Sequence, residues 1–176
     1  MKKVSFNLVT LVLIILNTGN LVQANDLNKS KQSMLFKVCR SKDANEIFYN
    51  VKTTSEGKLD LSEPIHIYWI KCDKKGKSEP LTKIQKKLAY GLRYNNITPD
   101  SAEFQFVSFP QKTLQLRKNN TGNYCVYTNV EGKEVELEQV FIQFDGGTFL
   151  MPKIAKVELR AKNHKSNDLV VEIIQP

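Results

Sequence analysis

From Met34 to the C-terminus, apolar side chains recur at every second residue in short runs broken by turn clusters, the period of strands half-buried in a sheet. Leu35 to Arg40 sets Phe36 and Val38 on one face, and Ile47 to Lys52 carries Phe48, Tyr49 and Val51. Ile65 to Cys72 is apolar on both faces, which predicts a central strand covered on both sides, with Pro64 tolerated at its start. Further strands are expected around Tyr90 to Tyr94, Glu103 to Phe109, Lys112 to Arg117, Asn123 to Asn129, Lys133 to Phe144, Lys153 to Ala161 and Leu169 to Ile174. The clusters Asn119-Asn120-Thr121-Gly122-Asn123 and Asp145-Gly146-Gly147 have the composition of hairpin turns. One short helix is expected near residues 80–89: Pro80 suits a first helical position, and Leu81, Ile84 and Leu88 fall on one face with Lys83, Lys86 and Lys87 outward. About nine or ten short strands with a single short helix describe an all-β chain, an antiparallel barrel or sandwich.

The N-terminus has a different character. Lys2 and Lys3 precede an apolar run from Phe6 to Leu16, and Leu21-Val22-Gln23-Ala24 offers small or aliphatic residues where a signal peptidase reads. That run is short of the roughly twenty residues needed to span a bilayer. Residues 1–24 are therefore expected to be a signal peptide cleaved near Ala24, residues 25–33 a flexible leader, and residues 34–176 a single β-rich domain. The mature chain is then expected in the periplasm or outside the cell, with no transmembrane segment.

Removing Lys2 and Lys3 takes the formal net charge from +8 to about +6. Only Arg40, Arg93, Arg117 and Arg160 among the cations can offer the bidentate fork that phosphate and base recognition favours, so the surface reads as lysine-solvated and no nucleic acid is expected as a partner. A weak attraction to anionic headgroups or envelope polymers needs no motif. Cys39, Cys72 and Cys125 are spaced too widely for a metal knuckle or a redox pair. Cys39 and Cys72 sit at strand ends that could approach each other, but three partly buried, inert thiols are the simpler expectation.

Five stretches carry a family likeness. Leu35-Phe36-Lys37-Val38-Cys39-Arg40-Ser41-Lys42 with Asn45 and Tyr49, then Pro64-Ile65-His66-Ile67-Tyr68-Trp69-Ile70 and Leu88-Ala89-Tyr90-Gly91, resemble the pattern of a largely bacterial family known as domain of unknown function 4833. Val157-Glu158-Leu159 and Val171-Glu172-Ile173-Ile174-Gln175-Pro176 fall where that family has similar strands. The resemblance implies a small exported β-rich domain, and it transfers no catalytic role to any residue.

Chemistry-bearing motifs are few. The chain has no G-x-S-x-G elbow, no H-E-x-x-H helix and no phosphate-cradling glycine loop. His164 lies in a polar turn, and His66 adjoins the Tyr68-Trp69 strand, where a buried, hydrogen-bonded imidazole is a simpler reading than a general base. Glu134, Glu136 and Glu138 share one strand face, a pattern that could mimic a divalent-cation site but is more economically a solvated outer face alternating with Val135 and Leu137. No catalytic residue, metal site or cofactor is assigned. The remaining candidates are Arg40, Asn45, His66, Tyr68, Trp69 and Tyr90, a mixed aromatic and polar set of the kind that lines a binding cavity. The expected function is an exported, non-catalytic domain of the cell envelope holding a small apolar or amphipathic ligand. The alternatives are a structural or protein-interaction domain, and a hydrolase-like enzyme using His66.

Overall fold

The structure, a computed structural model, describes residues 34–148, 152–163 and 166–175. The expected signal peptide, the leader and His164 lie outside the described residues. Eleven strands follow one another: β1 (Met34–Arg40), β2 (Asp43–Val51), β3 (Ile65–Lys71), β4 (Lys77–Pro80), β5 (Leu92–Ile97), β6 (Ser101–Phe106), β7 (Phe109–Lys118), β8 (Tyr124–Val130), β9 (Lys133–Gly147), β10 (Pro152–Lys162) and β11 (Leu169–Ile174). Two helical segments interrupt them: a 3-10 turn at Cys72–Lys74, and α1, an α-helical turn at Lys83–Gln85 running into a π-helical turn at Lys86–Tyr90.

The long strand β9 organises the sheet. Glu136 pairs with Tyr127 of β8 on one side and Lys162 of β10 on the other, whereas Val140 pairs with Val38 of β1 and Leu159 of β10. A strand has two edges, so β8 and β1 share one edge of β9 in succession while β10 takes the other. From that shared edge two wings diverge, β1-β2-β3-β4 and β8-β7-β6-β5, and β11 extends the β10 side. All pairings are antiparallel except β1 with β9, which makes the sheet mixed where a purely antiparallel one was expected. Each wing is apolar on its inner face, so the sheet curls into a half-barrel that brings those faces together.

The core forms where the wings meet. Phe36 stacks on Tyr49 at 4.3 Å between ring centroids, and Phe106 of β6 meets both rings edge-on at 5.9 and 5.7 Å. Ile47, Ile65, Phe104, Leu114, Leu116, Val126 and Leu137 complete a continuous buried cluster. Burying a side chain of this size contributes roughly 1.5–3 kcal/mol, so these alternating positions carry the fold. At the open end the Leu59 amide donates to the Pro99 carbonyl at 2.8 Å, a backbone stitch between the two wings.

Three expectations are corrected. Strand β3 is not covered on both faces: Ile65, Ile67 and Trp69 are buried, while His66 is exposed and Tyr68 and Ile70 are half-buried. Among the described residues its outer neighbour is the four-residue β4, which occupies what reads in the sequence as turn and helix start. Pro80 ends β4, and the helix begins later, where Thr82 and Gln85 form a reciprocal capping box that supplies the free N–H groups of the first turn. The expected packing stripe of that helix is absent: Leu81 is buried, but Ile84 and Leu88 face water. Cys39, Cys72 and Cys125 are unbridged, in line with the simpler expectation, with Cys39 half-buried and Cys125 buried; only the exposed Cys72 departs from it.

Candidate functional site

Between the inner face of the β1-β9-β10-β11 region and the end of α1 lies a partly enclosed apolar cleft of about 150 Å³. One wall is Val38, Val140, Ile142, Ile154, Val157, Leu159 and Ile174; the other is Ala89, Tyr90, Phe106, Ser108 and Phe109. Ten of these twelve residues are apolar, which makes the space hostile to water and receptive to hydrocarbon. The second wall is held in place by two hydrogen bonds to backbone carbonyls of α1. Ser108 Oγ donates to the Ala89 carbonyl at 2.7 Å, and the buried Tyr49 hydroxyl donates to the Tyr90 carbonyl at 2.8 Å. Burial pushes the Tyr49 phenol well above its ordinary range, so it remains a donor.

Beside the cleft, Arg40 gathers an aromatic cluster. The inner face of β1 runs Phe36, Val38, Arg40, so the guanidinium follows a cleft-lining side chain along one strand face, and in register it pairs with Ile142, which also lines the cleft. Its carbon lies 4.5 Å from the Trp69 ring centroid and 5.9 Å from that of Tyr90. One terminal nitrogen donates to the Tyr90 hydroxyl at 3.1 Å, and the other to Asp43 Oδ2 at 2.6 Å. Burial alone would lower the Arg40 pKa, but the Asp43 carboxylate and the Tyr90 hydroxyl outweigh it and hold the guanidinium charged, above its ordinary value. Trp69 and Tyr90 meet edge to face at 5.6 Å, and the Trp69 Nε1–H donates to Gln85 Oε1 at 3.3 Å. The Arg40 Nε–H is buried and has no hydrogen-bond partner among the described residues.

A family model described as Domain of unknown function (DUF4833) matches residues 36–173, most of the chain. The chain belongs to this family. No curated protein and no solved structure matches it.

In this DUF4833 domain the six residues singled out in the sequence separate into two groups. Arg40, Trp69 and Tyr90 converge as described. Asn45 is buried on the inner face of β2 with Ile47 and Tyr49, its amide N–H bonded to Asp43 Oδ1 at 3.1 Å and its side-chain Oδ1 without a partner among the described residues. His66 and Tyr68 are on the other side of the sheet. There the Tyr68 ring stacks between His66 at 5.5 Å and Phe48 at 5.8 Å, and Asn50 Nδ2 donates to its hydroxyl at 3.1 Å. A cavity enclosed by Tyr68, Trp69 and Tyr90 together is therefore not formed, because consecutive strand residues point to opposite faces. Trp69, Tyr90 and Arg40 fill the space between themselves, and the opening lies beyond Tyr90.

The glutamates of β9 form the solvated face. Glu134 pairs with Arg117 at 2.6 Å and Glu138 with Lys162 at 2.6 Å, and among the described residues no three His, Cys, Asp or Glu side chains gather as metal ligands. Sequence reasoning missed the cleft wall itself, since Val140, Ile142, Val157 and Ile174 are ordinary alternating core positions. It also missed Asp43 and Gln85, of which Gln85 was signalled by its three-residue spacing from Thr82.

Proposed function

We propose that this chain is an exported, non-catalytic β-rich domain of the cell envelope that binds a small amphipathic ligand, its apolar part in the cleft and its polar end toward Arg40. The observation that carries the reading is the cleft wall: ten apolar side chains around about 150 Å³, the volume that in other proteins stays dry and takes a benzene-sized guest. Arg40 supplies the polarity. It stands at the next inner position after Val38 and donates to the hydroxyl of the cleft-lining Tyr90, so a carboxylate brought to this end meets a positive charge behind that hydroxyl. Export rests on the pattern of Lys2, Lys3, the apolar run and Ala24. Sequencing the N-terminus of protein collected outside the cytoplasm is expected to begin at Asn25.

Calorimetric titration with hexanoate and hexanol tests the binding. Both are expected to bind, with a negative heat-capacity change from apolar burial, and Arg40→Met is expected to weaken hexanoate roughly tenfold while leaving hexanol unchanged. Absence of binding for both would overturn the reading.

A second reading, a protein-interaction domain, draws on the edge strand β11. Its Leu169, Val171 and Ile173 are exposed in alternation on a strand that lacks the lysine and proline that blunt β4. Concentration-dependent association in sedimentation, abolished by Val171→Lys, would favour it; a monomer throughout would remove it.

A further inference from the structure

The helical segment α1 turns large apolar side chains to water although both of its ends are fastened. Leu81 is buried just before it, the Thr82–Gln85 capping box fixes its start, and the Tyr49 and Ser108 hydroxyls hold the Tyr90 and Ala89 carbonyls at its end. Between these anchors Ile84 is 70 % and Leu88 68 % exposed. Their exposure is thus imposed by the fold and not by fraying of a loose segment.

Lysines surround the two side chains. Lys83, Lys86 and Lys87 lie in the same segment, and between Glu79 and Asp100 the sequence holds no acidic residue. Lys86 is within 3.8 Å of Glu63, whereas Lys83 and Lys87 make no ion pair among the described residues. Lys71 adds a fourth cation close by, 4.3 Å from the ring of Trp69, whose indole N–H reaches Gln85 in this segment.

We infer that α1 docks the domain on an anionic bilayer surface, Ile84 and Leu88 entering the boundary between headgroups and acyl chains while Lys83 and Lys87 meet the headgroup charge. Apolar side chains flanked by lysine are the composition of interfacial segments, and negative headgroups are the complement of a stretch without acids. A protein partner is the weaker fit. A stable protein interface buries about 1,200–2,000 Å² with shaped complementarity, more than two side chains on a short convex segment can organise, whereas a bilayer asks for no matching shape. The segment also carries Ala89 and Tyr90 of the cleft wall, so docking would set the lip of the cleft against the lipid.

Flotation of the full chain with phosphatidylglycerol vesicles and with phosphatidylcholine vesicles tests this, since whatever the N-terminal residues contribute is common to all variants. The wild type is expected to partition onto phosphatidylglycerol vesicles and far less onto phosphatidylcholine. Ile84→Ser with Leu88→Ser, and separately Lys83→Glu with Lys87→Glu, are each expected to reduce that partition roughly tenfold or more, with unchanged thermal unfolding because the altered side chains are exposed. Equal partition onto both vesicle types, no partition at all, or wild-type partition by the Ile84 and Leu88 double variant would overturn the inference; the last would leave only diffuse attraction by net charge. Self-association lost in that same double variant would assign the patch to a second copy and also overturn it.

Discussion

Gly91 is a position where the fold leaves no room for a side chain. A Cβ there would lie 1.9 Å from the Lys86 carbonyl oxygen, and that oxygen belongs to the backbone of the π-helical turn, so it cannot step aside as a flexible side chain would. Gly91→Ala is therefore expected to cost about 2 kcal/mol or more in urea unfolding, and a loss below about 0.5 kcal/mol would mean that the turn is not held as described. The cysteines give a second residue-scale expectation. Burial pushes the Cys39 thiol up to about 11 and the Cys125 thiol up to about 12, and hydrogen bonding to Glu46 and Glu136 acts in the same direction. Only the thiolate alkylates, so at pH 8 both are almost wholly unreactive, and their reaction accelerates only as pH approaches those values. Timed alkylation followed by peptide mass spectrometry is expected to label the exposed Cys72 first; equal labelling of all three would contradict the burial. At this scale the sequence was partly legible. Arg40, Trp69 and Tyr90 stand out as scarce residue types, and they do converge, but Tyr68 looked equivalent to Trp69 because one step along a strand reverses the face without any mark in the composition.

Among the elements, strands were legible and their partners were not. Period-two alternation fixes which side chains share a face, and it recovers ten of the eleven strands; the exception is β4, whose Lys77-Ser78-Glu79-Pro80 has no apolar alternation to read. The parallel pairing of β1 with β9 joins Lys37 to Gln139, two residues about a hundred positions apart, and no local pattern encodes it. Helix α1 shows a different limit. Pro80 fits a helix start and a strand end equally well, whereas the Thr82 and Gln85 spacing carries the true boundary through a hydrogen-bonded box, with Thr82 N–H donating to Gln85 Oε1 at 2.9 Å and Gln85 N–H to Thr82 Oγ1 at 3.2 Å. Thr82→Ala is expected to destabilise by about 1 kcal/mol in denaturant titration. Because Gln85 Oε1 also receives the Trp69 indole N–H, Gln85→Ala should cost more than Thr82→Ala, and the double variant less than the two added; strict additivity would show that the box and the indole bond are independent.

Across the whole molecule, the curled sheet leaves an apolar cleft where the β1-β9-β10-β11 region faces the end of α1 and the β6–β7 turn. That cleft was illegible in the sequence because its walls come from elements scattered between Val38 and Ile174, each contributing side chains indistinguishable from core. What the sequence did carry was Tyr90, the one member of the candidate set that lines the opening and also bonds to Arg40. Occupation of this cleft by an apolar group is the central claim, and fluorescence titration with the aromatic anion anilinonaphthalene sulfonate, wild type against Val157→Phe, tests it most directly. Val157 is a half-buried wall residue, so phenylalanine there adds volume to the cleft with little disturbance of the buried cluster. The expected result is enhanced probe emission with the wild type, weakened roughly tenfold or more in affinity by Val157→Phe at unchanged thermal stability. Equal probe affinity in the two proteins, or no enhancement with the wild type, would contradict a ligand-binding cleft.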